Sequence, residues 1–466
     1  MQQLLERLSA ILGADNVLTG EAVHQRSVDW FTSLPCAAGA IVRPATTQQL
    51  SEVMVLCHEA GQPVVTHGGV TGVVHGAIAG EDELVISLER MASIEAVDAV
   101  GGTLTVQAGV PLQRVQEAAS EIDMHFPLDL GARGSCTIGG NIATNAGGVQ
   151  VIRHGMMRQQ VLGLEAVLAD GRVVSSMNRM LKNNAGYDLK QLFIGSEGTL
   201  GIVTRAVLRI QPRLNSEQCA LVAVPSFDAL TSLLDLASRR IGLSVFEVLW
   251  NSHYRLMTEE SGAHTPPLAT DSPFYAIIES QGQDPARDAD QFQSLLEQAL
   301  AQGVISDAVL AGSEAQRQGI WAIRENIEVL VRALDPMFSY DVSLPIPAME
   351  AYVADLERAL ANAFPAVGRM VTFGHLGDGN LHIMITVGEA SAESRRRVEA
   401  LVYEPLADVG GSISAEHGIG LEKRDHLHLC RNPDEIALMR LLKEALDPCG
   451  LLNPGKVLVP PRASSP

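Results

Sequence analysis

Leu4, Leu5, Leu8 and Leu12 recur along one side of the first thirteen residues at the three-to-four spacing of an amphipathic helix. Glu6 lies among them, so the segment lacks the uncharged core of a signal peptide. Ala40-Ile41-Val42 reads as a short strand leading through Pro44 to Thr46, a helix N-cap with Gln49 three residues on. Leu50, Val53, Met54 and Cys57 share one face of the helix that follows, Gly61 stops it, and Pro63-Val64-Val65 is the next strand, which makes a β-α-β unit. The texture changes at Asn215-Ser216-Glu217, which reads as a domain boundary. Beyond it strands and amphipathic helices alternate: Ala220 to Val224 as strand, Phe227 to Ala237 as helix, Pro273 to Glu279 as strand. Val371 to His375 and Leu381 to Val387 alternate like the arms of a hairpin, with Gly377-Asp378-Gly379 supplying its positive-φ turn residues. A helix is expected around Ile436 to Ala445, and a disordered tail from Pro460 to Pro466. The pattern divides the chain into an N-terminal segment (1–35), a first domain (36–214), an α+β second domain (215–412) and a C-terminal segment (413–466). No repeat of fixed period is present.

A chain of 466 residues, 46% hydrophobic, can fill two or three cores. Its 54 acidic against 34 basic side chains give a formal charge of -20, which argues against nucleic acid and anionic membrane surfaces as partners. No apolar stretch approaches about twenty residues, so no spanning helix is expected, and a cytoplasmic address follows by default. Cys36, Cys57, Cys136, Cys219, Cys430 and Cys449 are scattered without a C-x-x-C pair and read as reduced, buried small side chains.

Three glycine-rich stretches stand out. His67-Gly68-Gly69-Val70-Thr71-Gly72 follows the second strand, where bare backbone N–H groups can approach phosphate oxygens; alone such a cluster is more often just a tight turn. Gly131 to Gly148 carries six glycines among Ser, Thr and Asn over eighteen positions, the composition of a backbone wrapped round an extended anionic ligand. Ile194 to Thr204 is the third, and it runs into a β-branched strand. A different chemistry sits late in the chain. The hairpin brings His375 and His382 toward each other, and as a lone pair they could equally be structural residues bonded to turn carbonyls. Glu416-His417 adds a carboxylate and a further imidazole. Two neutral imidazoles and one carboxylate suit Zn²⁺, with Mn²⁺ and Fe²⁺ also accommodated, and leave positions open. His426 and His428 read as surface residues.

These motifs resemble the flavin oxidoreductases of the vanillyl-alcohol oxidase type, and most closely the FAD-dependent D-2-hydroxyacid dehydrogenases, a group that includes D-lactate, D-2-hydroxyglutarate and glycolate dehydrogenases. The likeness runs from about residue 20 to about 458. It implies an α+β fold: a two-lobed PCMH-type FAD-binding domain, an α+β substrate or cap domain, and a C-terminal helical segment completing the first domain. In that family Gly68, Gly69, Val70, Thr71, Gly72 and Gly76 would bind the FAD pyrophosphate. Pro127, Leu128, Gly131, Ser135, Cys136, Thr137, Gly139, Gly140, Asn141, Thr144, Asn145, Gly147 and Gly148 would lie along the flavin and ribityl chain. Glu197, Gly198, Gly201 and Ile202 would lie near the adenine end, and Asn453, in Asn453-Pro454-Gly455-Lys456, would return to the flavin side. His75 stands where glycine is usual and His67 where a polar amide is usual; the pattern differs from that of covalent histidyl-FAD relatives, so noncovalent FAD is expected.

The resemblance also implies that His375, His382 and Glu416 hold the divalent metal and that His417 is the base. A 2-hydroxy acid would chelate the metal, whose charge lowers the hydroxyl pKa, and hydride would leave Cα for flavin N5. Arg324 occupies the family's substrate-arginine position and would clamp the carboxylate with both nitrogens of one edge; as a solvated helix residue it could instead pair with Glu325 or Glu328. Relatives specialised for D-2-hydroxyglutarate carry threonine, lysine and asparagine where this chain has Glu328, Ser339 and Met384. A buried Glu328 would repel a second carboxylate, and Met384 is apolar, so D-lactate and larger uncharged homologues are the expected substrates. A D-2-hydroxyglutarate or D-malate dehydrogenase is the alternative, as is a flavin-binding subunit of a glycolate or lactate oxidase complex. The expected acceptor is a quinone, cytochrome c or an electron-transferring flavoprotein, and a homodimer is compatible with the sequence. A metal hydrolase would leave the three glycine-rich stretches unexplained.

Overall fold

The computed structural model describes residues 2–28 and 34–460, so the expected disordered tail from 461 onward lies outside the described residues. The chain forms two compact units. The first comprises Met1–Gly148, Gly155–Arg213 and Glu416–Pro466, and the second Val149–His154 and Leu214–Ala415.

In the first unit the helix Gln2–Leu12 turns Leu4, Leu8 and Leu12 inward. The helix Thr47–Ala60 starts as its sequence dictates: Thr46 accepts from the Gln49 N–H at 3.1 Å while Gln49 Oε1 accepts from the Ala45 N–H at 2.9 Å. Gly61 ends it in the left-handed conformation. The strands it joins, Ala40–Val42 and Val64–His67, are not neighbours. Leu84–Ser87 lies between them, parallel to both, its Leu84-Val85-Ile86 run buried on both faces. A second, antiparallel sheet follows in the order Ile94–Asp98, Thr103–Gln107, Ile202–Arg209, Val161–Val167, Val173–Ser176. Val42, Leu50, Val64, Leu104, Ala166 and Ile202 belong to one buried cluster, in which each large side chain contributes about 1.5–3 kcal/mol by leaving water.

The long glycine run contains regular structure that its composition does not announce. Ile138–Thr144 is a helix, closed by Asn145 in the left-handed region. Helical glycine costs about 0.5–1 kcal/mol relative to alanine, but Gly139 cannot be alanine: a Cβ there would stand 2.7 Å from Ala108 Cβ. That contact lets the helix lie against the end of the strand Thr103–Gln107, with Ile138 and Ile142 buried.

The second unit is built on a seven-stranded antiparallel sheet in the order Asp307–Leu310, Ser216–Val224, Phe274–Gly282, Leu243–Trp250, Arg369–His375, Asn380–Thr386, Phe338–Ser343. Ser216 and Glu217 thus open the first strand of this sheet along the chain, and the helix from Phe227 continues to Arg240. The hairpin turn also differs in detail. Leu376–Asp378 is a 3-10 turn and only Gly379 has positive φ, at +85°. Gly377 is needed for room, since a Cβ there would stand 2.4 Å from Ile152 Cδ1. Among the described residues no helix is long and apolar enough to cross a membrane. All six cysteines are free, but Cys430 is half-buried and Cys449 exposed, so only Cys36, Cys57, Cys136 and Cys219 are the buried side chains expected.

Candidate functional site

The first unit contains a groove of about 330 Å³ into which the glycine-rich stretches converge. From the first stretch Gly68, Gly69, Val70, Thr71, Gly72 and Gly76 line it; from the second, Gly131, Cys136, Thr137, Gly140, Asn141, Thr144 and Gly147. Glu197, Asn453, Glu416 and His417 complete the predicted set along its wall. Leu130, Ala132, Ala143 and Ala146, within the run from Pro127 to Gly148, also line it, as do Thr66, Val73, Val74 and Ala77, which were missed because small and apolar residues between functional ones carry little chemical signal.

The remaining predicted cofactor residues are not among those lining the groove. Pro127, Leu128 and Ile202 are buried, Gly139 packs on Ala108, and Gly201 faces the Phe193 ring, where a Cβ would stand 2.7 Å away. Asn145 Oδ1 accepts from the Arg158 N–H at 2.9 Å, Ser135 is exposed, and Gly198 adopts φ +70° beside the Asn453 amide. The Gly148 N–H donates to Glu416 Oε1 at 2.6 Å. The first two stretches meet backbone to backbone: a Cβ on Gly69 would stand 2.0 Å from the Ser135 carbonyl oxygen. This is a demand for close approach that only glycine meets.

The two unusual histidines have structural explanations. His75 has φ +60°, in the left-handed region that favours glycine. His67 is buried, with Nε2 2.8 Å from the Ala77 carbonyl, and burial pushes its pKa down to about 4. Glu197 accepts from the Ile419 and Gly420 N–H groups at 2.7 and 2.8 Å and so holds the loop that follows His417. Asn453 joins two parts of the wall, accepting from the Thr66 N–H at 3.0 Å and donating to the Glu197 carbonyl at 2.6 Å. The hydroxyls of Thr66 and Thr137 are buried without a hydrogen-bond partner among the described residues. Unpaired buried hydroxyls in a glycine-walled groove fit a ligand rich in hydrogen-bonding oxygens, as a dinucleotide is. His426 is half-buried and His428 exposed, in the short helix Arg424–Leu429.

In the second unit strand register gathers the other chemistry. Glu247 pairs with His375, and His382 pairs with Phe373 on one side and Asp341 on the other. Directly paired residues share a face, and Phe373 and His375 are two apart, so all five side chains project from one side of the sheet. The Nε2 atoms of His375 and His382 are 3.3 Å apart. His375 Nδ1 is hydrogen-bonded to Glu247 Oε1, and His382 Nδ1 lies 3.8 Å from Asp341 Oδ1. Asp341 is fixed in turn by the Asn380 amide at 2.8 Å and by the Ala415 N–H at 3.1 Å.

Arg324 reaches this face from the helix Glu314–Glu325, which starts with Ser313 capping Gln316 and is pinned where Arg317 and Trp321 both donate to Glu279 Oε1 at 2.6 Å. The guanidinium is neither solvated nor paired as its local sequence suggested. Its Nε donates to Glu247 Oε2 at 2.8 Å, its carbon lies 4.7 Å from the centre of the Phe373 ring, and Nη2 is 3.5 Å from His375 Nε2. Its Nε is therefore occupied by Glu247, and Nη2 is held beside His375. Burial would raise the Glu247 pKa, but the facing His375 and Arg324 charges outweigh it and hold the carboxyl at about 2. Sequence reasoning missed Glu247. Its one signal is a charge on the inward-facing row Val245, Glu247, Leu249. Of the three residues expected to read the substrate's far end, only Met384 is buried. Glu328 and Ser339 are exposed, so the expected repulsion from a buried glutamate does not exist.

Residues 38–176 match the FAD binding domain and residues 213–457 the C-terminal domain of FAD linked oxidases. The chain is 38% identical over 456 residues to the mitochondrial D-2-hydroxyglutarate dehydrogenase of Bos taurus, covering 97% of this chain and 83% of that one. It is 41% identical over 434 residues to the D-2-hydroxyglutarate dehydrogenase of Xanthomonas citri pv. viticola, covering 92% and 91%. Among solved structures it resembles p-cresol methylhydroxylase with substrate bound, with a TM-score of 0.76 at 15% identity over 98% of this chain and 96% of that one. It resembles alkyldihydroxyacetonephosphate synthase equally, with a TM-score of 0.76 at 17% identity over 97% and 86%. The fold of the first unit is that of the PCMH-type flavin-binding proteins.

Proposed function

Because this chain belongs to the FAD linked oxidases and is an FAD-dependent D-2-hydroxyacid dehydrogenase, we propose that it oxidises D-2-hydroxy acids with uncharged side chains, D-lactate and larger homologues, at a divalent metal held by His375, His382 and Glu416. The observation that carries the metal is the facing pair of imidazoles. Two nitrogens bound to one tetrahedral ion at about 2.0–2.1 Å stand roughly 3.3–3.4 Å apart, and His375 and His382 Nε2 are 3.3 Å apart. Each Nδ1 faces a buried carboxylate, and a Nδ1–H tautomer would turn the Nε2 lone pairs outward as ligands. The donor set favours Zn²⁺ and accommodates Mn²⁺ or Fe²⁺.

When bound, FAD supplies a hydride acceptor and the metal a Lewis acid that acidifies the substrate hydroxyl. The Arg324 Nη nitrogens bind the substrate carboxylate, and His417 takes the proton from the C2 hydroxyl oxygen. Substrate choice rests on Met384, two residues beyond His382 on the same face and buried. A thioether there solvates an alkyl group and leaves a second carboxylate unpaired. The electron acceptor we propose is a quinone, cytochrome c or an electron-transferring flavoprotein.

The test is a kinetic panel of D-lactate, D-2-hydroxyisocaproate and D-2-hydroxyglutarate, motivated by Met384 and by the diacid named for the relatives above. We expect kcat/KM to favour the two monoacids, and a maximum for the diacid would overturn the substrate assignment. Chelation, or His382→Ala, should abolish bleaching of the flavin by D-lactate while leaving the flavin bound. Full activity after chelation, with no metal left by elemental analysis, would overturn the metal.

A further inference from the structure

We infer that Glu247 is a positioning residue for the reaction: a single buried carboxylate that orients both the substrate-binding Arg324 and the metal-binding His375. The inference rests on the metal and substrate roles proposed above. Glu247 lies directly opposite His375 in the sheet, and its side chain is only 1% exposed. Its two oxygens have separate duties. Oε1 is bonded to His375 Nδ1, and Oε2 accepts from Arg324 Nε at 2.8 Å. Holding Nδ1 sets the direction of the ring and its tautomer, hence the aim of Nε2. Holding Nε fixes the guanidinium plane, which rests over the Phe373 ring at 4.7 Å, and turns the Nη edge toward the substrate. The separation between carboxylate clamp and metal ligand is thereby set by one rigid group. Val245 and Leu249, on the same row, are wholly buried, so nothing about packing alone calls for a charge at this position.

Glu247→Gln keeps the volume but offers one carbonyl for two N–H donors, so one partner is released. The expected result is metal affinity lowered about 10- to 100-fold, the usual consequence of losing a carboxylate behind a ligating histidine, together with a KM for D-lactate raised about 10-fold and flavin content unchanged. Glu247→Asp keeps the charge and should recover part of both losses; it also serves if the glutamine variant does not fold. A purely structural ion pair would lower the melting temperature and leave both constants within about twofold of wild type, and that result overturns the inference. Arg324→Met separates the two halves. Alone it should raise KM and spare metal affinity, and adding Glu247→Gln should raise KM no further; fully additive KM effects overturn the coupling to Arg324. If wild-type enzyme binds no metal in the same titration, the metal assignment and the His375 half fall together, while the KM cycle still decides the Arg324 half.

Discussion

His253 is wholly buried, its ring 4.5 Å from that of Phe373, and neither ring nitrogen has a hydrogen-bond partner among the described residues. Burial, helped by the nearby Arg324 charge, pushes its pKa from 6.5 down to about 3. Between those values the unfolded chain binds a proton that the folded one refuses. Stability is therefore complete above pH 6.5 and falls as the pH drops toward 3, by at most about 1.4 kcal/mol per pH unit. His253→Phe keeps an aromatic ring and removes both unpaired nitrogens. Urea denaturation should show it at least as stable as wild type at neutral pH, with an advantage that widens by about 2 kcal/mol between pH 6.5 and pH 5. An unchanged pH slope would refute this account. Legibility at this scale depended on local spacing. His375 and His382 could be paired from the sequence because seven residues and a glycine turn separate them. Glu247 could not, because its partners are 77 and 128 residues away and only the sheet register unites them.

At the scale of elements, capping chemistry was readable because it is complete within a few residues, as Thr46, Gln49 and Gly61 show. The helix Ile138–Thr144 was hidden because glycine weakens helices locally, and the packing on Ala108 that rescues it comes from another element. The glycines of the groove likewise divide by what they meet. Gly69 faces backbone at 2.0 Å, whereas Gly72 lines the groove with nothing within 4 Å of where a methyl group would stand. Gly69→Ala should destabilise the apoprotein by about 1–3 kcal/mol through overpacking. Gly72→Ala should leave apoprotein stability within about 0.5 kcal/mol yet lower flavin content on purification. Thermal melts of apoprotein together with flavin absorbance distinguish the two, and equal losses of stability would contradict the assignment.

At the scale of the molecule, the sequence texture changes near residue 214, whereas the return of the C-terminal segment to the first unit was implied only by the family resemblance. That segment begins at Glu416, and the bonds that attach it, such as Asn453 to Thr66 and Glu197 to Ile419, leave no local trace in the sequence. Asn453→Ala leaves the buried Thr66 N–H and Glu197 carbonyl without their partner, at a cost of about 1–3 kcal/mol. Reduced flavin retention and a lower melting temperature should follow, and retention equal to wild type would show the wall to be closed by other contacts.

The bond from the Thr66 N–H to Asn453 crosses 387 positions of sequence, which gives the protein a timetable. Closing so long a loop adds little to the thermodynamic cost, about 0.6 kcal/mol for each doubling of its length. The order of events during synthesis is another matter. A nascent chain that has emerged as far as residue 415 already holds every strand of the seven-stranded sheet, but not the segment that carries Asn453. Domains generally fold as units while the ribosome is still working, so the second unit can be finished early whereas the first must wait for the last fifty or so residues. Stalled chains ending at residue 415 should accordingly be protease-resistant across the second unit and colourless, turning yellow only once the final segment is supplied.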